Sequence, residues 1–287
     1  MNTKRAAGVL PTPPMHWVGD GFPVRSILNP RTPDGGMSPF VLFDYAGPAN
    51  FEPASEPRGV DFHPHRGFET VTIVYQGEIE HQDSAGNSGK VGPGDVQWMT
   101  AARGVFHEEK HSRAFSEAGG AMEMAQIWVN LRAQDKLGPP RYQDIRAARI
   151  PLVDLPDGAG SVRLIAGSFG DVRGAAETFT PVILWDVNLN AGANVTLPIP
   201  DGFNAAVCSR SGAIEVAGKY QVGPRQLVVM EREGAGVVVR ANEAAQILVI
   251  AGEPIDEPMV AQGPFVMNTY QEIAQAVLDA QAGRLGR

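Results

Sequence analysis

The sequence predicts an all-β protein made of two related halves, with a single helix near its C-terminus. Three observations carry this: short β-patterned runs along the whole chain, two internal matches in the same order, and one well-capped helical segment. The 33 glycines and 23 prolines are scattered among 287 residues, as many short strands and tight turns require.

The runs are PFVLFDYA (39–46), ETVTIVYQ (69–76), AQIWVNL (125–131), TPVILWDVNL (180–189), RQLVVMER (225–232) and QILVIAG (246–252). They are rich in the β-branched and aromatic side chains that suit a pleated surface, and Gly, Pro, Asn or Asp bounds most of them. DSAGNSG (83–89) reads as the loop of a hairpin between strands near 77–82 and 90–92. The two prolines of KLGPPRYQD (136–144) suggest a linker between halves. The helix is predicted over 270–280, where Thr269 and Glu272 form a capping box, Gly283 stands ready as a terminator, and Ile273, Val277 and Leu278 share a face that docks on the β-structure.

The halves are related. HPHRGFETVTIVYQGEIE (63–80) aligns with PIPDGFNAAVCSRSGAIE (198–215), and VGPGDVQWM (91–99) with VGPRQLVVM (222–230). Two matches in the same order, β-patterned throughout, are read as an internal duplication.

Composition excludes several classes of function. The net charge of −8 opposes general binding to nucleic acid, whose phosphates demand a basic face. The single cysteine, Cys208, excludes an intramolecular disulfide and a cysteine metal cage. The N-terminus lacks the apolar core of a signal peptide, and no run approaches the length of a membrane span, so the expectation is a cytoplasmic protein.

The chemistry rests on sparse histidines, six in all, of which three lie in FHPHRGF (62–68) and GVFHEEK (104–110). Side chains two apart on a strand point the same way, so His63 and His65 can face one interior, with Pro64 favouring extension at His63. His107 and Glu109 obey the same rule on a second strand. Three imidazoles and a carboxylate suit a divalent first-row metal, and a six-coordinate ion keeps two positions open. A lone His-x-His is more often a polar surface feature. Here, however, the aligned copy has Pro198, Pro200, Val238 and Arg240 at the four positions. All four candidates disappear together while the scaffold glycines remain, which is the behaviour of a site.

Three stretches, HPHRGFETVTIVYQGEIEHQDSAGNSG, GPGDVQWMTAARGVFHEE and GPFVMNTYQEI, closely resemble the pirins of the cupin superfamily. The resemblance spans nearly the whole chain. It implies a bicupin of two stacked jelly-roll barrels: an N-terminal metal-binding barrel over 1–135, and a C-terminal barrel over 136–287 that lacks the ligands and carries the helix. It implies one mononuclear divalent metal on His63, His65, His107 and Glu109, with iron(II) expected and nickel, cobalt, manganese, copper or zinc compatible. The implied activity is quercetin 2,3-dioxygenase: a flavonol binds the metal through its hydroxyl, is deprotonated, and its heterocycle opens with O2 and loss of carbon monoxide. Glu109 would then double as the proton acceptor. The family also implies an alternative, an iron-dependent redox-sensing regulator that acts through protein partners rather than on DNA. A different small enol or catechol substrate is a third option.

Glu69, where the wider cupin pattern places a ligand, either holds a ligand histidine in place or is a barrel-rim charge paired with Arg66 or Arg103. His111 is read as surface, His81 as a solvated strand end or pocket-lining residue, and His16 as structural. Cys208, Trp98 and Met99 are read as core. Phe43, Phe68 and Phe106 either line a pocket or fill the barrel.

Overall fold

The computed structural model describes residues 2–29, 37–84 and 86–285. Among these the chain forms two compact units. One contains residues 14–29, Phe40–Ala147 and 255–285; the other contains the chain up to Pro13, residues 37–39 and Ala148–Pro254. The units interleave along the chain, where the sequence reading divided it at one point between 135 and 136. Two segments account for the difference. The C-terminal segment, helix included, belongs to the unit that carries the histidines, and residues 2–13 belong to the other. KLGPPRYQD is no linker: Arg141–Ile145 is an edge strand paired with Val96–Thr100.

Each unit has the same plan. In the histidine-bearing unit, a seven-stranded sheet runs in the order Arg141–Ile145, Val96–Thr100, Phe68–Gln76, Gly120–Asn130, Phe40–Phe51, Phe22–Leu28 and His16–Val18. A four-stranded sheet runs Gly59–His65, Val105–His111, Ile79–Asp83 and Ser88–Val91. The second unit repeats the pair, with a seven-stranded sheet centred on Ala245–Gly252 and a four-stranded sheet of Ala193–Leu197, Val237–Ala241, Ile214–Val216 and Tyr220–Val222. Ladders between neighbouring strands are antiparallel, for example Phe68–Gln76 against Gly120–Asn130. This is the barrel pair that the duplication predicts.

The interiors differ in chemistry. In the second unit Val237, Val239 and Ala241 are buried with Val195, Leu197, Val207 and Val249, so aliphatic side chains fill the barrel. Val238 and Arg240, aligned from sequence with His107 and Glu109, point the other way: the strand's burial alternates, with 237, 239 and 241 inside. The sequence alignment is therefore one residue out of register here, and on a strand a slip of one residue exchanges faces.

Tyr270–Gln281 is helical, and both halves of the Thr269–Glu272 capping box form. Its buried face is Ile273 and Ala276, with Val277 and Ala280 packed partly against Phe265, Met267 and Leu285. Leu278, expected on that face, is exposed. Among the described residues no helix is long and apolar enough to cross a membrane.

Candidate metal centre

The motif His63-Pro64-His65-Arg66-Gly67-Phe68 ends one strand and begins another. Gly67 makes the turn with φ +89°, and a Cβ built there would lie 1.9 Å from the Val266 carbonyl oxygen. Glycine is required on both counts. The strand Gly59–His65 pairs with Val105–His111 so that His63 stands opposite His107, while Glu109 stands opposite Val60. That register holds one extra residue between Val60 and His63, a bulge. It turns both Val60 and His63 inward and leaves Asp61 and Phe62 exposed.

The three imidazoles meet. The candidate ligand atoms of His63, His65 and His107 all lie within 4.8 Å of one another. His63 Nε2 and His65 Nε2 are 3.1 Å apart, and the three ring centroids are 4.4 to 4.9 Å apart. Two nitrogens bound to one ion at about 2.1 Å with angles between 90° and 110° sit roughly 3.0–3.4 Å apart. The far nitrogens of the first pair are oriented by carbonyls: His63 Nδ1 is 2.8 Å from Asp61 O, and His65 Nδ1 is 3.4 Å from Pro264 O. Such contacts fix tautomer and ring orientation in metal sites.

Electrostatics favour lone pairs over protons. Burial, and then the neighbouring His107 and His63 rings, hold His65 well below the usual imidazole range. Burial and His63 do the same to His107. His107 is fully buried, yet neither of its ring nitrogens has a hydrogen-bond partner. A buried polar atom left alone costs about 1–3 kcal/mol, and a cation shared by the three imidazoles would satisfy one of the two His107 nitrogens. The donor set therefore fits a metal ion.

Glu109 lies in the same cavity but is held differently. Thr72 Oγ1 donates to its Oε1 at 3.1 Å, and Gln126 Nε2 donates to its Oε2 at 2.8 Å. Its oxygens fall outside the mutual 4.8 Å group of the three histidines. Thr72 and Gln126 were not singled out from sequence. The signal available was parity: a polar side chain at an inward position of an apolar strand.

The cavity that reaches His63, His65 and Glu109 has a volume of about 290 Å³. Its walls are largely apolar, with Val24, Ala46, Val60, Met124 and Trp128 among them. Two larger clefts of about 500 Å³ each are lined by none of the three clustered histidines. We place the site in the smaller cavity because chemistry converges there.

The other candidates divide as follows. Glu69 neither orients a ligand histidine nor pairs with Arg66. It lies on the opposite face of its strand from Thr72, is buried, and accepts a hydrogen bond from Thr100 Oγ1 at 2.6 Å. Arg66 instead binds Asp279 at 2.8 Å. His111 is buried rather than surface: Phe22, Phe51 and Phe115 surround its ring, and its Nε2 is 2.9 Å from Gly21 O. His81 is buried too, with the Tyr142 ring stacked on it at 5.5 Å. His16 is exposed on an edge strand. Cys208, Trp98 and Met99 are core, and burial pushes the Cys208 thiol up to about 12. Phe68 packs on His65 and Trp128, Phe43 is fully buried, and Phe106 joins the cluster under the helix.

Comparison with known proteins agrees with this architecture. The pirin family profile matches residues 24–129, and the profile of the pirin C-terminal cupin domain matches residues 184–286. A provisionally named quercetin 2,3-dioxygenase of Pseudomonas aeruginosa is 51% identical over 284 residues, covering 99% of both chains. Human pirin is 36% identical over 267 residues, covering 91% of this chain and 87% of that protein. A crystal structure of quercetin 2,3-dioxygenase from Acinetobacter baumannii superposes with a TM-score of 0.96 at 45% identity, covering 99% of both chains. On its doubled barrel, its clustered histidines and these relatives, the chain belongs to the pirin family of the cupin superfamily.

Proposed function

We propose that this chain is a metal-dependent cupin dioxygenase that opens flavonols such as quercetin with O2. The observation that carries the reading is the apolar cavity of about 290 Å³ that reaches the cluster of His63, His65 and His107. A flat aromatic ligand matches its walls, and the convergent polar groups match a chelating head. The relatives named as quercetin dioxygenases support the same class of substrate.

His63, His65 and His107 hold the ion in this proposal, with Glu109 as the fourth ligand once it leaves Thr72 or Gln126. Iron(II) is the expected metal. Bound there, the metal supplies Lewis acidity toward an enol hydroxyl and an electron path to dioxygen. The chain supplies the rest. Met124 and Trp128 exclude water from the aromatic face of the ligand. Glu109 accepts the hydroxyl proton, and Thr72 and Gln126 stabilise the carboxylate before transfer by donating to it.

The test is oxygen uptake on adding quercetin to metal-quantified, iron-loaded protein, with His63→Ala and Glu109→Gln alongside. We expect uptake in the wild type, none in His63→Ala, and a loss of at least about 100-fold in kcat for Glu109→Gln if it is the base. No uptake at one iron per chain would overturn the dioxygenase reading. Full turnover in Glu109→Gln would overturn the role of Glu109 alone.

A further inference from the structure

One polar residue of the cavity wall has no part in the scheme above. Asp44 interrupts the apolar run Phe40-Val41-Leu42-Phe43 on a central strand and lines the same cavity as His63 and Glu109. Its place follows from register. Thr72 stands opposite Gln126 on the next strand, Gln126 opposite Asp44, and Asp44 opposite Ser26. Directly opposed residues in an antiparallel sheet share a face, so these four form a row across one wall. Successive members are one strand spacing apart, about 4.8 Å. The first two hold Glu109; Asp44 is the next one out.

Asp44 is under-satisfied. Ser26 donates to its carboxyl, but Oδ1 is buried with no hydrogen-bond partner. Burial raises its pKa, against the opposing effects of Ser26 and His16. The terminal torsion of an Asp side chain is broad and two-fold, so rotation about it can exchange which oxygen faces the cavity that Asp44 lines. The wall around it is apolar: Phe22, Val24, Ala46 and Met124. A donor on a ligand would meet its need. A second carboxylate on the ligand would face both Asp44 and Glu109 and be repelled, so the fitting ligand is a neutral aromatic with hydroxyl donors.

We propose that Asp44 is the specificity-determining residue of this cavity, accepting a hydrogen bond from a phenolic hydroxyl on the ligand's end remote from the histidines. The inference rests on the flavonol reading above and adds to it a hydroxylated pendant ring as the preferred substrate feature. A site built around an acceptor rejects the analogue that lacks the donor, because the acceptor then stays unpaired.

The test measures binding without turnover. Anaerobic, iron-loaded, full-length protein is titrated with quercetin, which carries two hydroxyls on the pendant ring, and with galangin, which has the same chelating head and none on that ring. Quenching of tryptophan fluorescence reports occupancy, since Trp128 lines the cavity. We expect the wild type to prefer quercetin by on the order of 10- to 100-fold. Asp44→Asn, which keeps an acceptor oxygen, retains a preference; Asp44→Leu brings the two affinities together. Equal affinities in the wild type, a measurement that needs no variant, overturn the proposal and leave the flavonol reading standing. An unchanged preference in Asp44→Leu does the same. Failure of both flavonols to bind overturns the flavonol reading and this inference with it.

Discussion

Replacing Glu69 by Gln tests whether this buried carboxyl serves the site or merely burdens the fold. Burial raises its pKa from 4.5 to about 7, with the Thr100 hydrogen bond opposing the shift. Between those values the folded protein holds the proton and the unfolded chain does not. Stability therefore falls as pH rises through that window, and the full cost is present above about pH 7. At 1.36 kcal/mol per pH unit the cost is about 3 kcal/mol at pH 8 and under about 1 kcal/mol at pH 5. Glutamine keeps an acceptor oxygen for Thr100 Oγ1 and carries no charge to desolvate. Urea unfolding followed by tryptophan fluorescence should find Glu69→Gln more stable than wild type by about 3 kcal/mol at pH 8, with the difference nearly gone at pH 5. Its metal content should match the wild type, because Glu69 faces away from Thr72 and Glu109. A variant no more stable at pH 8, or one that loses metal, would refute the argument.

Two further predictions concern how the C-terminal segment is fastened. Lys136 is buried, and its Nζ donates to Gly67 O at 2.6 Å, Asn130 Oδ1 at 2.5 Å and Val266 O at 2.8 Å. Lys136→Met leaves three acceptors unpaired and should destabilise by about 3–5 kcal/mol; amide hydrogen exchange in 260–267 should quicken, and unchanged exchange there would count against the fastening. Gly67→Ala adds about 1–2 kcal/mol of backbone strain and pushes on Val266 O, two residues from the Pro264 carbonyl that touches His65. Its iron affinity, measured by competition with a chelator, should fall by roughly 10- to 100-fold, and an unaltered affinity would show that His65 does not depend on that carbonyl.

Much of the fold was legible because its signals are local. Strand parity put His63 beside His65 and His107 inside the barrel, and the Thr-x-x-Glu pattern located the helix. The apolar runs named three strands of each seven-stranded sheet. Other features depend on partners remote in sequence. His111 looked solvated beside Lys110 and Ser112, but Phe22 and Phe51 bury it from strands some sixty and more residues earlier. His81 reads as a strand end until Tyr142 stacks on it. Glu69 carries no mark of which face it takes until its strand is paired.

The sequence by itself determined the class of the protein and picked out its candidate donors: a doubled all-β fold, with three histidines and a glutamate at matching parity in one copy. Periodicity and composition are properties of short stretches, so they can be read without coordinates. Only the tertiary structure decided which residues share a cavity. It pairs Glu109 with Thr72 and Gln126, lines Asp44 up beyond them, and places the C-terminal segment with the first barrel, where Pro264 meets His65. These are consequences of cross-strand register and long-range burial, where one residue of slip turns a side chain from the interior to the surface.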